Sequence, residues 1–153
     1  MILDVQEIKK RFPAYFKNFT LPDCACEQMI CVYRACKSRK IDQKSFRNTY
    51  EENGFANTVG QEIDDPQEYC LSTYEKLRDV KRFVAITAKY TPPFLLAKGW
   101  TVPSCGVSCR TKDWKARYKG SHVDWWLYED ARPWEHFEEV DYEEELKRFP
   151  ERR

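Results

Sequence analysis

The chain has 153 residues, 42% hydrophobic and 33% charged, with 5 Trp, 9 Tyr and 9 Phe; an aromatic content this high excludes a disordered chain, and the length fits one domain. Lys and Arg total 26 against 25 Asp and Glu, a net charge of +1, so no global charge points to nucleic acid or to a membrane surface. No apolar run approaches the roughly 20 residues of a membrane span, and the opening from Met1 to Phe12 lacks the apolar stretch of a secretion signal.

The first 90 residues read as mostly helical. Val5, Ile8 and Phe12 form a short stripe closed by Pro13. Thr20 to Asp23, with Pro22 in the first turn, resembles a capped helix start. Met29, Val32 or Tyr33, and Cys36 follow at helical spacing, and Lys37, Arg39 and Lys40 suit a helix C-terminus. Asp42 is a natural N-cap for a third helix, with Ile41 and Phe46 spaced as a hydrophobic staple, Phe46 and Tyr50 an i,i+4 pair, and Gly54 placed to end it. After a loop from Phe55 to Asp64, Asp65-Pro66 opens a helical pattern. It runs to Tyr90 with Leu77, Val80, Val84 and Thr87 on one face, breaks at Ser72-Thr73, and is closed by Pro92-Pro93.

The second half changes character. Phe94 to Ala97 is a short apolar run that Gly99 interrupts, and Thr101 to Cys109 reads as a turn or loop. Val107 to Thr111 is a short strand candidate. The clearest strand is His122–Tyr128, with Val123, Trp125 and Leu127 on one face and His122, Asp124, Trp126 and Tyr128 on the other. Arg132-Pro133-Trp134 opens a short helix or turn. Glu143→Lys147 and Glu144→Arg148 have helical spacing in the tail. The expected fold is α+β: a mainly helical segment 1–91 packed on a small, mainly antiparallel sheet with loops in 92–140, then an acidic–basic helical tail, 141–153, all in a single domain.

Seven cysteines with no secretion signal are expected to be free thiols in a cytoplasm. Cys24, Cys26, Cys105 and Cys109 form two close pairs that would supply four zinc ligands. Neither pair has the usual CxxC spacing, so no metal is assigned. GxGxxG, GxxxxGK[ST], HExxH and GxSxG are all absent, and five glycines leave no Gly-rich phosphate cradle, so no cofactor is expected.

Charge is segregated: residues 1–128 carry a net +6 and residues 129–153 a net −5. Arg110 to Lys119 holds five cations and one anion. Arg110, Lys112, Lys115 and Arg117 would meet phosphates there, with Trp114 and Tyr118 to stack on bases. The acidic run Glu135 to Glu145 either folds back on these cations, mimics phosphates toward a partner, or is a solvated helix. On the polar face of the strand, His122 and Asp124 would serve general acid–base chemistry if Arg110 joined them, with Glu129 as a second carboxylate and Trp126 to stack on a ring. Trp126 and Tyr128 would alternatively contact a protein. The leading expectation is a small, soluble intracellular binding or regulatory protein acting on another protein without a membrane, in one form an inhibitor of a nucleic-acid-handling enzyme from a phage or mobile element. The alternative is a small enzyme on a nucleotide or nucleic-acid substrate (ADP-ribosyl or glycosyl transfer, or metal-independent cleavage) using His122, Asp124 and Arg110. A third is a nucleic-acid-binding module built on residues 110–119.

Overall fold

A computed structural model describes residues 10–60, 62–87 and 94–151. Six strands form one antiparallel sheet: β1 (Cys31–Cys36), β2 (Leu71–Tyr74), β3 (Leu95–Trp100), β4 (Gly106–Arg110), β5 (His122–Leu127) and β6 (Phe137–Glu139). Their spatial order is β4-β5-β2-β1-β3-β6. Among the described residues the α-helices are α1 (Thr49–Glu52), α2 (Leu77–Thr87) and α3 (Tyr142–Arg148). The expected division into a helical N-terminal half and a sheet-bearing C-terminal half is therefore overturned. β1 and β2 belong to the first half and occupy the middle of the sheet. Val5, Ile8 and the Pro92-Pro93 stop lie outside the described residues.

The physical reason is burial on both faces. In β1, every residue from Val32 to Cys36 is buried, so the strand has no period-2 alternation, and its apolar residues fall by accident at helical spacing. β2 shows a second cause. Asp65 does cap, its side chain accepting from the Gln67 N–H at 3.0 Å, and Pro66 does lead. The capped turn stops at Tyr69, because the chain beyond it pairs antiparallel with both β5 and β1. Asp42 likewise caps one 3-10 turn, Gln43–Phe46, and Gly54 ends the next helix in the left-handed region at φ 72°. Pro22 to Ala25 makes a single turn, after which Cys26 bridges to Ser108 and covers the β4 edge.

The two sheet faces carry separate cores. On one, Val32, Leu71, Ala97, Val123 and Trp125 pack against Phe46 and Phe137. The other is covered at one end by α2, which sets Leu77 and Val80 on Tyr33 and Ala35. At its other end the segment around Phe16 covers Tyr69, Cys70, Cys109 and Trp126. Arg34 is buried on the first face without a carboxylate in ion-pair range among the described residues. Its Nε donates to the Ser45 carbonyl at 3.0 Å and Nη1 to the Ser72 carbonyl at 2.8 Å, and burial pulls its pKa down.

The acidic tail docks at the opposite edge of the sheet from β4, not on the basic stretch. β6 approaches β3 so closely that a Cβ on Gly99 would sit 2.4 Å from the His136 carbonyl oxygen. α3 then brings Glu145 against the sheet, where it accepts from Tyr33 Oη at 2.8 Å and Lys98 Nζ at 2.9 Å. Glu151 accepts from the Leu77 and Arg78 amides and so caps α2 from the far end of the chain.

Cys24 and Cys109 are joined by a disulfide, with Cα atoms 5.8 Å apart. This corrects the expectation of seven free thiols and removes two of the four zinc candidates. Cys26 is exposed and Cys105 is buried in the core on the first face. Among the described residues no group of three or more His, Cys, Asp or Glu is placed to hold a metal, and no helix is long and apolar enough to cross a membrane. A disulfide belongs to an oxidising compartment, so the cysteines no longer argue for a cytoplasm. Denatured, unreduced protein should titrate five free thiols. Replacing Cys24 and Cys109 with Ser should lower the unfolding free energy by about 2–5 kcal/mol in denaturant melts. Seven reactive thiols in air-oxidised protein would contradict the bridge.

Candidate functional site

Register decides which of the proposed groups meet. Residues directly opposite one another in an antiparallel pair share a face. Cys109 and Ser72 flank Asp124, and Tyr74 flanks His122, whereas Arg110 lies opposite Val123 and hence on the other face. Arg110 turns instead to Glu75, with Nε 3.1 Å from both carboxylate oxygens and Nη2 2.9 Å from Oε1. Its pKa is raised, chiefly by those bonds. Glu129 lies beyond the far end of β5, exposed, and pairs with Arg11 at 3.3 Å.

His122 and Asp124 do come together. Asp124 has 0% exposure, and its carboxylate accepts from five side chains. Oδ1 takes Gln67 Nε2 at 2.9 Å, Cys70 Sγ at 3.4 Å and His122 Nδ1 at 3.2 Å. Oδ2 takes Thr111 Oγ1 at 2.9 Å and Trp114 Nε1 at 2.8 Å. Thr111 Oγ1 also lies 2.6 Å from His122 Nδ1. The threonine has one proton and gives it to Asp124, so His122 must donate from Nδ1. That sets the tautomer and leaves the lone pair of neutral His122 on Nε2, which has no hydrogen-bond partner among the described residues. The rings of Tyr74 and Tyr118 stand edge-on to the imidazole, with centroids at 5.2 and 6.2 Å. Burial works to raise the Asp124 pKa. The bonds from His122, Gln67 and Trp114 outweigh it and hold the carboxyl below the ordinary aspartate range. Cys70 beside it is pushed well up, first by burial and then by the Asp124 charge, and stays a thiol donor.

The basic stretch is anchored to this cluster. Trp114 donates its indole N–H to Asp124, and Tyr118 Oη accepts from the His122 amide at 3.1 Å. Lys115 reaches Gln67. Lys112, Arg117 and Lys119 remain exposed. Trp126 is fully buried with its indole donating to the Pro66 carbonyl at 2.9 Å, and Tyr128 is buried with its hydroxyl on Glu27 at 2.6 Å. Both therefore face the interior.

Sequence reasoning missed Thr111, Gln67, Cys70 and Glu75. They come from separated segments and have no local signal. It also missed Trp100 and Phe149, large apolar side chains that are 47% and 51% exposed. These two line an open groove of about 690 Å³ between β3, β6 and α3, together with Lys98, Phe137, Glu138 and Arg148.

Comparisons with protein-family models, characterised proteins and solved structures find no match.

Removing the Asp124 carboxylate strands five donors. Asp124→Ala should cost about 3–5 kcal/mol, the range for breaking a buried charged pair. The folded pKa is depressed, so this contribution is fully present above the unfolded aspartate value near 3.9 and is lost as pH falls through the lower folded value. Denaturant melts from neutral pH downward should show the gap between wild type and Asp124→Asn closing below about pH 4. A gap independent of pH would contradict the assignment.

Proposed function

We propose that this chain is a binding protein that acts by contact with another protein, through the groove between β3, β6 and α3. The observation that carries the reading is the pair Trp100 and Phe149, half-exposed on one open concavity. Large aromatics are the usual anchors of protein interfaces, and burying them is where the binding energy concentrates. The groove walls are held firmly. Lys98 is fixed by Glu145 at 2.9 Å and lies 3.8 Å from the centroid of the Phe149 ring. A partner thus meets a surface that needs little ordering. In its most concrete form the partner is a nucleic-acid-handling enzyme that the chain inhibits.

A second reading is supported by the tautomer of His122: an Asp-oriented imidazole presenting Nε2 is the arrangement of a general base. It has neither Arg110 nor Glu129 beside it, and neither the groove here nor a cavity of about 230 Å³ beside Trp125 includes it.

Crosslinking from a photoreactive group placed at Glu138, on the groove wall, should trap one protein in stoichiometric amount in the source cells. Purified with that protein, Trp100→Ala with Phe149→Ala should weaken the complex by more than about 30-fold, the equivalent of about 2 kcal/mol at an anchor residue, with an unchanged melting temperature. Full affinity in the double variant would refute this interface. A catalytic activity abolished by His122→Ala in a stable protein would favour the second reading.

A further inference from the structure

The loop after β4 and α2 join into one basic face. Two hydrogen-bonded turns fix the loop backbone: the Lys115 N–H donates to the Thr111 carbonyl at 2.8 Å, and the Tyr118 N–H to the Lys115 carbonyl at 2.9 Å. Two of its side chains are tied inward, Trp114 to Asp124 and Tyr118 to the His122 amide. Its end is joined to α2. Ser121 donates its amide and its hydroxyl to Asp79 Oδ2 at 2.9 and 2.6 Å, and the hydroxyl accepts from the Lys76 amide at 3.0 Å. Arg82, three residues beyond Asp79 on the helix, lies close enough to act electrostatically on the Tyr118 hydroxyl. The loop and the helix therefore share a surface.

That surface carries unpaired positive charge. Lys112, Arg117 and Lys119 on the loop and Arg82 on the helix are exposed, and none of the four is in an ion pair among the described residues. The Lys115 ammonium meets the neutral amide of Gln67 and the ring of Trp114, and no carboxylate among the described residues. Opposing carboxylates are fewer. Glu75 is taken by Arg110, Asp79 holds Ser121, and Asp113 is exposed on the loop. The acidic tail docks on β3, across the sheet from β4, and so does not mask these cations. The net charge of the whole chain is only +1, so the positive field here is local and comes from placement.

We propose that this face binds the phosphate backbone of a nucleic acid, without reading its sequence, through Arg82, Lys112, Lys115, Arg117 and Lys119. Sequence-independent binding needs only cations placed to meet phosphates. The anchored loop presents them with little left to order on binding. Arg110, expected among the phosphate contacts from its place in the sequence, is occupied by Glu75, and Arg82 joins from the helix instead. A lipid surface fits less well, because basic membrane-binding surfaces set apolar side chains beside their cations. Of the large exposed apolar residues only Ile86, near the end of α2, lies on either element. The face is separate from the groove at β3, β6 and α3, and the proposal does not rest on that groove.

The test follows the fluorescence anisotropy of a labelled DNA single strand and a labelled duplex, each about 20 nucleotides long, on the full-length oxidised protein. At about 50 mM salt at least one probe should bind with a Kd below about 10 μM, and with four or five phosphate contacts its affinity should fall roughly 50-fold or more by about 200 mM. Tighter binding of one probe would identify the form that is held. Lys112→Gln, Arg117→Gln and Lys119→Gln together should weaken binding at the lower salt by more than about tenfold and flatten the salt dependence, with an unchanged melting temperature. Lys17→Gln, Lys40→Gln and Lys44→Gln remove the same charge from exposed positions elsewhere and should change affinity by less than about threefold, since distant charges are screened. No binding to either probe at the lower salt, or equal losses in the two triple variants, would overturn the proposal. Polyglutamate bound as tightly as DNA would reassign the face to an acidic protein, and phosphatidylserine vesicles bound in place of DNA would reassign it to a membrane; either result overturns it.

Discussion

Asp124 is a carboxylate with no exposed surface, and such a group is tolerable only when its oxygens are filled by donors. Here the donors come from three different stretches of chain: Gln67 and Cys70 from the turn before β2, Thr111 and Trp114 from the loop after β4, and His122 from β5 itself. One buried charge therefore fixes the entry to β2, the exit from β4 and the whole basic loop. Cys109, opposite Asp124 in the register, extends the same tie to Cys24 through the disulfide. That bond holds the covering segment over Trp126 and Tyr69. The second face of the sheet is thus closed by a carboxylate and a covalent bond as much as by apolar contact.

This arrangement bears on how the polar residues of β5 are to be understood. A His-Asp pair at i,i+2 on a strand suggests chemistry, and the tautomer that Thr111 imposes on His122 keeps that suggestion physically coherent. Yet the same donors that orient His122 saturate Asp124 and bind Trp114 and Tyr118 inward. The residues that would recognise phosphate or bases are in part the residues that hold the loop. Exposed aromatic surface lies elsewhere, around Trp100 and Phe149 at the other edge of the sheet, where α3 and β6 leave large apolar side chains in contact with solvent. There the tail has a structural duty too, since Glu145 and Glu151 pin it to β1, β3 and the start of α2.

Local signals in the chain were accurate at the scale of a turn. Asp42 and Asp65 both cap, and Gly54 terminates. β5 was legible from its aromatic and β-branched content, although its alternation is not one of burial: Trp125 and Trp126 both have 0% exposure. α2 was legible from Leu77 and Val80, and α3 from its charge pairs. How far each capped turn would run was not legible, because that depends on what the following residues meet. Leu71 to Tyr74 leave the helical pattern when β5 and β1 offer hydrogen bonds on both sides.

The sequence by itself determined the caps, the β5 strand, the amphipathic helices and the charge segregation, since each depends on contacts within a few residues. Only the tertiary structure decided the rest. It placed β1 and β2 mid-sheet, sent Arg110 to Glu75 and away from His122, joined Cys24 to Cys109 across 85 residues, and left the Trp125 indole without a partner among the described residues. The reason is that strand order and register select which distant residues share a face, and a strand buried on both faces carries no periodic pattern from which that choice can be read.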